Sequence, residues 1–352
     1  MGTLLIFASM FKGLLQSINV IKDRNIQLIL SPCEIPQTII LAFLSSRITR
    51  RRFVVFLNSF PYYGLIGVFP FENKVKKNFF GMILKDMKIA GYSQLRVIFE
   101  ASVWYIAIWI LNSSTTQIIC LSPVIANELS TLNIKGHVIP VFPGNGIDYN
   151  EISVVEPKTN EKRYDAIYAA GSIHPQKGIY DVVKIWSKVI EKHPKANLAI
   201  AGFFHDNRPH MIEELNTTIY DSNLQNNVTI VCDLNKGLPQ KDLWKEMKSA
   251  KIFLYPSKKD VWPLVIGEAL ACGLPVITYD LPGIRNSYGD CLAIFLHKDG
   301  DIDGVANSLI DLLNDTQSLE VTSQKAKQYA ENHCWNHVVE LERKAYLKIL
   351  EK

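Results

Sequence analysis

The sequence predicts an α/β protein made of two doubly wound parallel sheets, and three observations carry that expectation. Short continuous apolar runs alternate with amphipathic stretches, the pattern of strands covered on both faces by helices. The pattern halts at a polar stretch and then restarts. The 352 residues suit two domains at about 100–200 residues each. Composition agrees, because 48% hydrophobic and 20% charged residues allow proper cores and exclude disorder as the main state. A net charge of +4, with no basic stripe interleaved with aromatics, gives no reason to expect nucleic acid as a partner. The six cysteines are scattered without a C-x-x-C pair, which argues against a zinc cluster or a disulfide scaffold and for a reducing cytosol.

Element by element, the first half reads as strand Gln27–Ser31, helix Pro36–Ser46, strand Phe53–Leu57, strand Gln117–Leu121 and strand Val138–Phe142. Ser122-Pro123 is a helix start with proline just inside. The run Ala101–Leu111 is apolar throughout, but a spanning helix needs about 20 such residues. It is expected to be a buried core helix, with a membrane- or partner-facing helix as the alternative. The N-terminus lacks the basic region of a signal peptide, and Ile6 breaks the myristoylation pattern. Arg47, Arg50, Arg51 and Arg52 form a basic cluster that either ends a helix or meets an anionic membrane.

The polar stretch Asp148–Asp165 is expected to be the linker, dividing the chain into domains 1–150 and 151–332, with a final helix at 333–352. Asn145-Gly146 just before it reads as a turn needing positive φ. Beyond the linker come strand Ala166–Ala170 and helix Ile179–His193. That helix places Ile179, Val182, Val183, Trp186, Val189 and Ile190 on one face at a 3.6-residue period. Strands Asn197–Ala201 and Val228–Cys232 follow, then helix Gln240–Ala250, strand Lys251–Tyr255, helix Leu264–Cys272 and strand Leu274–Tyr279. Gly273 is the residue type expected just past a helix C-terminus. Asp301-x-Asp303 precedes a helical pattern, so capping explains it better than a metal does.

The chemistry concentrates in Tyr255–Asp280 (YPSKKDVWPLVIGEALACGLPVITYD). Asp260 lies in a loop after a strand, and Glu268 lies inside the following helix. The N–H groups of Val261, Trp262, Leu264 and Val265, around Pro263, are the unpaired donors at that helix N-terminus, which suits phosphate. A carboxylate one to two turns into the helix reaches the hydroxyls of a ribose. Together these features fit a nucleotide diphosphate carrying a sugar. No G-x-G-x-x-G follows a strand, which disfavours a Rossmann dehydrogenase.

An acid, seven residues, then Glu-Ala-Leu-Ala-Cys-Gly-Leu-Pro-Val-Ile resembles the signature of retaining GT-B glycosyltransferases of the family-four, or glycosyl transferases group 1, type. Ala169–Gly178 (AAGSIHPQKG) resembles the loop in which that family holds the diphosphate. Val141–Asp148 resembles the turn closing its first domain, and Glu331–Trp335 the element before its last helix. The likeness runs from about Gln27 to Lys352 and is strongest over Gly171–Pro282.

The resemblance implies a GT-B fold, two Rossmann-like domains facing a cleft, an acceptor side first and a nucleotide-sugar donor side second. It implies that Asp260 contacts the transferred sugar, Glu268 the ribose and Lys177 the diphosphate. Gly171 would allow close backbone approach, and Leu234 lies in the stretch expected to meet the base. His174 shares the Lys177 loop, as a substrate contact or a surface residue. The chain departs from the family at three places. Asp260 stands for the usual Glu, and Ser172 for an Arg, so the loop carries one cation fewer. Asn58 and Ser59 occupy the place of a frequent histidine. No glycine-rich loop precedes Gln27, so the first domain is expected to lack the family's opening unit.

The implied activity is transfer of a hexose from a nucleotide-sugar to a glycan or lipid-linked acceptor with retention, without a metal or other cofactor. The setting would be the cytoplasm or the inner face of a membrane. The alternative is a non-catalytic nucleotide-sugar binding or scaffold protein of the same fold.

Overall fold

The computed structural model describes residues 2–33, 35–57, 94–131, 133–142, 144–157, 163–204, 210–260 and 262–351. They form two units, Met1–Gly144 with Val339–Lys352, and Asn145–Val338. Asn58, Ser59 and Val261 lie outside the described residues.

The first unit opens with helix α1 (Gly2–Asp23), which lies ahead of the first predicted strand. Its sheet comprises β1 (Leu28–Ser31), β2 (Arg52–Leu57), β3 (Gln117–Cys120) and β4 (His137–Pro140), parallel and in sequence order. Helices α2 (Pro36–Thr49), α3 (Gln94–Leu111) and α4 (Pro123–Thr131) connect the strands. Val54, Ile119, Leu121, Ile139 and Val141 form the core of one face with Ala345 and Ile349 of the C-terminal helix.

The basic cluster divides here. Arg52 Nη1 donates to the Ile349 carbonyl at 2.7 Å, and Arg51 Nη2 to Asn25 Oδ1 at 3.2 Å, so these two serve the fold. Arg50 is the left-handed C-cap of α2 at φ 54°.

Between the sheets, the expected linker is partly structured. Helix α5 (Tyr149–Ser153) buries Ile152 completely in the second unit's core, and Lys248 Nζ donates to the Val155 carbonyl at 2.6 Å. Gly146 is not at positive φ, contrary to the turn reading. It is required because a Cβ would collide with the Trp335 backbone.

Six parallel strands build the second unit: β5 (Tyr164–Ala170), β6 (Leu198–Gly202), β7 (Val228–Ile230), β8 (Ala250–Tyr255), β9 (Val276–Tyr279) and β10 (Ile294–His297). Their order is β10-β9-β8-β5-β6-β7. The chain starts in the middle at β5, winds outward to β7, then returns to β8 on the other side of β5. The point where winding reverses lies between β5 and β8, and in such sheets ligands bind outside the carboxyl ends of the strands at that point.

Helix α6 (Ile179–Lys192) buries Ile179, Val182, Val183, Trp186 and Val189, the face its period defines, and Trp186 Nε1 donates to the Asn227 carbonyl at 3.0 Å. Helices α7 (His210–Asp221), α8 (Gln240–Lys248), α9 (Leu264–Ala271), α10 (Pro282–Tyr288), α11 (Ile302–Asn314), α12 (Thr316–Asn332) and α13 (Trp335–Glu351) complete the chain. Gly273 adopts φ +78° just beyond α9. Asp301 caps α11, its Oδ1 accepting from Gly304 N at 2.9 Å.

Candidate active site

Two loops leave the carboxyl ends of β5 and β8 at the reversal point. The first runs from Gly171 through a 3-10 turn at Pro175–Lys177 to Gly178, whose φ of +79° favours glycine. A Cβ at Gly178 would enter the Pro256 carbonyl of the second loop, so the glycine also lets the loops approach. Main-chain and side-chain bonds then tie them together. Lys258 N donates to the Gln176 carbonyl at 2.9 Å, and Lys258 Nζ meets Asp181 Oδ2 at 2.8 Å. Asp181 is buried in the first turn of α6 and also accepts from Tyr279 Oη at 2.9 Å.

This tie brings Lys177 and Asp260 into contact across 83 residues of chain, with Nζ 2.6 Å from Oδ1. The other carboxylate oxygen, Oδ2, accepts from Ser257 Oγ at 2.7 Å and Tyr255 Oη at 2.9 Å. Tyr168 Oη donates to the Lys177 carbonyl at 3.2 Å. Burial, and then the nearby Asp260 charge, push the Tyr255 hydroxyl well above its usual range, so it stays a donor. Asp260 is thus held by a cation and two hydroxyls, all charge-assisted bonds to one carboxylate. Lys177 keeps two further N–H donors on its ammonium. Its side chain is 22% exposed, accessible to a ligand.

Helix α9 begins beside this pair. Pro263 precedes it without a side-chain cap, and its carbonyl accepts from Tyr288 Oη at 3.0 Å. The first N–H groups of the helix, Leu264 and Val265 among them, have no carbonyl four residues back and carry the positive end of the dipole. Trp262 is half-buried and stands against Tyr288, with ring centroids 5.9 Å apart.

One turn further, Glu268 Oε1 accepts from Gln240 Nε2 at 2.9 Å. Burial raises the Glu268 pKa, and the Gln240 bond opposes the rise. Gly171 and Ser172 sit at the mouth of the β5 loop, and a Cβ on Gly171 would meet nothing within 4 Å. Leu234 lies in the second unit's core at 7% exposure, and its carbonyl accepts from Phe204 N at 2.7 Å. The residues sequence reasoning missed are Tyr255, Ser257 and Gln240. No sequence signal marks them: Tyr255 ends an apolar strand and is buried like a core residue. Among the described residues, no group of three or more His, Cys, Asp or Glu side chains is placed to hold a metal ion.

The family model described as "Glycosyl transferases group 1" matches residues 151–329, just over half the chain and the whole of this site. The chain belongs to the glycosyl transferases group 1 family. Among curated relatives, this group 1 chain is 24% identical to an uncharacterized glycosyltransferase of Haemophilus influenzae over 199 residues, 56% of this chain and 51% of that protein. It is 28% identical to the D-inositol 3-phosphate glycosyltransferase of Jonesia denitrificans over 176 residues, 49% of this chain and 40% of that protein. The chain thus spans about half the length of the curated relatives it matches.

Solved structures show the fold. Alr3699/HepE of Anabaena in complex with UDP superposes with a TM-score of 0.69 at 16% identity, covering 96% of this chain and 82% of that one. A glycosyltransferase from Rickettsia africae superposes with a TM-score of 0.68 at 15% identity, covering 97% and 82%. The fold of this group 1 chain is GT-B.

Proposed function

We propose that this chain transfers a hexose from a nucleotide-diphosphate sugar to a hydroxyl of a glycan or lipid-linked acceptor, with retention at the anomeric carbon. The observation that carries this is the meeting of Lys177, Asp260 and the α9 N-terminus at the point where sheet winding reverses, with Glu268 one turn on. Lys177 and the helix N–H groups stabilise the negative charge that develops on the leaving diphosphate. Asp260, held by three donors, accepts from sugar hydroxyls and fixes the hexose. Glu268 accepts from the ribose, exchanging the Gln240 amide for hydroxyl donors.

In the reaction the bond from the anomeric carbon to the diphosphate oxygen breaks and a bond to the acceptor oxygen forms on the same face. The departing diphosphate takes the acceptor's proton. UDP-sugars are the first donors to try, because UDP is the ligand named for the Alr3699/HepE structure. A polysaccharide acceptor is supported by the relative named as the CapM capsular polysaccharide biosynthesis glycosyltransferase of Staphylococcus aureus, 22% identical over 68% of this chain and 63% of that one. All six cysteines are free, which supports a cytoplasmic setting.

The test is release of nucleoside diphosphate from UDP-, GDP- and ADP-sugars in the presence of an acceptor extract. Release by the wild-type chain and none by Glu268→Ala is expected. Release that survives Glu268→Ala unchanged contradicts the proposal. A second reading, donor binding without turnover, is favoured by Ser172, which leaves the loop with Lys177 as its cation, already paired with Asp260. It predicts thermal stabilisation by a nucleotide-sugar with no diphosphate release under any acceptor.

A further inference from the structure

Helix α3 has no charged residue between Ala101 and Leu111, and the expectation was a buried core helix. The structure buries only one side of it. Val103, Trp104, Ala107, Ile110 and Leu111 point inward at 6% exposure or less. On the outer side, Ile106 is 43% and Trp109 61% exposed. An α-helix that is apolar all round belongs in a protein core or against lipid, and this one is half in each position. The adjacent stripe of α2 continues the surface, with Leu44 at 40% and Ile48 at 54% exposure.

Phe43 joins the two helices. Its ring meets Trp109 edge-on at 6.1 Å, and the Arg47 guanidinium sits 5.0 Å from its centroid. Arg47 is held there by a 3.2 Å bond to Thr115 Oγ1. The result is one patch of large apolar side chains with a cation fixed at its edge, and the exposed Arg50 lies one helical turn beyond Arg47. The sequence has no acidic residue between Glu34 and Glu72, so nothing on α2 or β2 offsets these cations.

We propose that the outer face of α2 and α3 is a docking surface for an anionic lipid bilayer, with Trp109, Ile106, Leu44 and Ile48 entering the interface and Arg47 and Arg50 meeting headgroup phosphates. Charge decides between occupants. A second copy of the same face would oppose cation to cation, whereas an anionic leaflet complements them. Trp and Arg both place an apolar body at the boundary and a polar end in the headgroup layer. No helix among the described residues is long and apolar enough to cross a membrane, so the contact is interfacial. The proposal also refines the basic cluster, since Arg51 and Arg52 bond to Asn25 and Ile349, whereas Arg47, on Phe43 and Thr115, borders the apolar patch with Arg50 next along the chain. It is independent of the donor site.

The experiment is flotation of the full chain with vesicles of phosphatidylcholine alone or mixed with phosphatidylglycerol. Binding to the mixed vesicles, and little to the neutral ones, is expected. Ile48→Glu, at an exposed position that leaves the Phe43–Trp109 contact intact, should reduce bound protein by at least about ten-fold. Arg47→Gln should reduce it roughly five-fold, the effect of one basic residue at an anionic surface. Both variants should melt as the wild type does. Absence of flotation, equal binding to neutral vesicles, or an unaffected Ile48→Glu variant would overturn the proposal. So would a wild-type dimer in sedimentation that Ile48→Glu abolishes, which would give the face to a second copy.

Discussion

Asp260 and Glu268 are eight residues apart in sequence and belong to the same candidate site, yet they stand in opposite conditions. Asp260 is surrounded by donors, with Lys177 on one oxygen and Ser257 and Tyr255 on the other. Glu268 has its bond from the Gln240 amide and is otherwise desolvated enough for its pKa to rise. The difference separates a positioned carboxylate from a receptive one. A fixed carboxylate orients a hydroxyl-rich ligand at little entropic cost. A half-buried carboxylate that rests on neutral donors gains when ligand hydroxyls replace them. The loop side of the site is therefore preorganised, and on the proposed function the helix side is the one a donor would complete.

The largest effect should come from breaking the loop side. Lys177→Met removes the loop cation and should lower turnover by about 100- to 1000-fold, as loss of a preorganised charge-stabilising donor does. It also strands the Asp260 carboxylate, so the variant should melt earlier. Adding Asp260→Asn should restore melting and not turnover, which separates the two roles of the pair. On the helix side, Glu268→Ala should weaken donor binding about 100-fold, the loss of two hydrogen bonds to a charged group. Titration calorimetry with the preferred donor measures it.

Much of this comparison was legible in the sequence, and the reason is topological. Apolar runs marked β5 and β8, and the sheet order places the loops after them side by side. Motif likeness then singled out Lys177, Asp260 and Glu268. The hydroxyls of Tyr255 and Ser257 were not legible as carboxylate donors, because a tyrosine ending a strand reads as core. Gly178 was read as part of a motif, and its contact with Pro256 is a through-space fact. Periodicity failed for two opposite reasons elsewhere. Helix α3 has no polar stripe to show which side faces out. Helix α12 buries only Thr322, Ala326 and Ala330, too small to make a stripe that stands out, and it was missed.

Smaller effects sharpen the contrast. Ser257→Ala and Tyr255→Phe each remove one donor from Asp260 and should lower turnover roughly ten-fold, the low end of one bond to a charged group. Neither should change the donor dissociation constant as much as Glu268→Ala does. On the helix side, the raised Glu268 pKa gives a pH response. Between the ordinary glutamate pKa and the raised one, the native chain binds more protons than the unfolded chain. The contribution of Glu268 to stability therefore falls as pH rises through that window. Donor binding to the ionised carboxylate runs the other way and weakens on acidification, starting above the usual glutamate range. Glu268→Gln should remove the Glu268 share of the stability trend and the acid weakening of donor binding, as melting curves taken across pH with and without donor would record.

The most direct measurement is a thermal-shift panel of UDP-, GDP- and ADP-sugars on the wild-type chain, Lys177→Met and Glu268→Ala. At least one nucleotide-sugar should raise the melting temperature of the wild type, and that rise should be lost in both variants. If no nucleotide-sugar shifts the wild type, or if both variants keep the full shift, Lys177, Asp260 and Glu268 do not form a donor site.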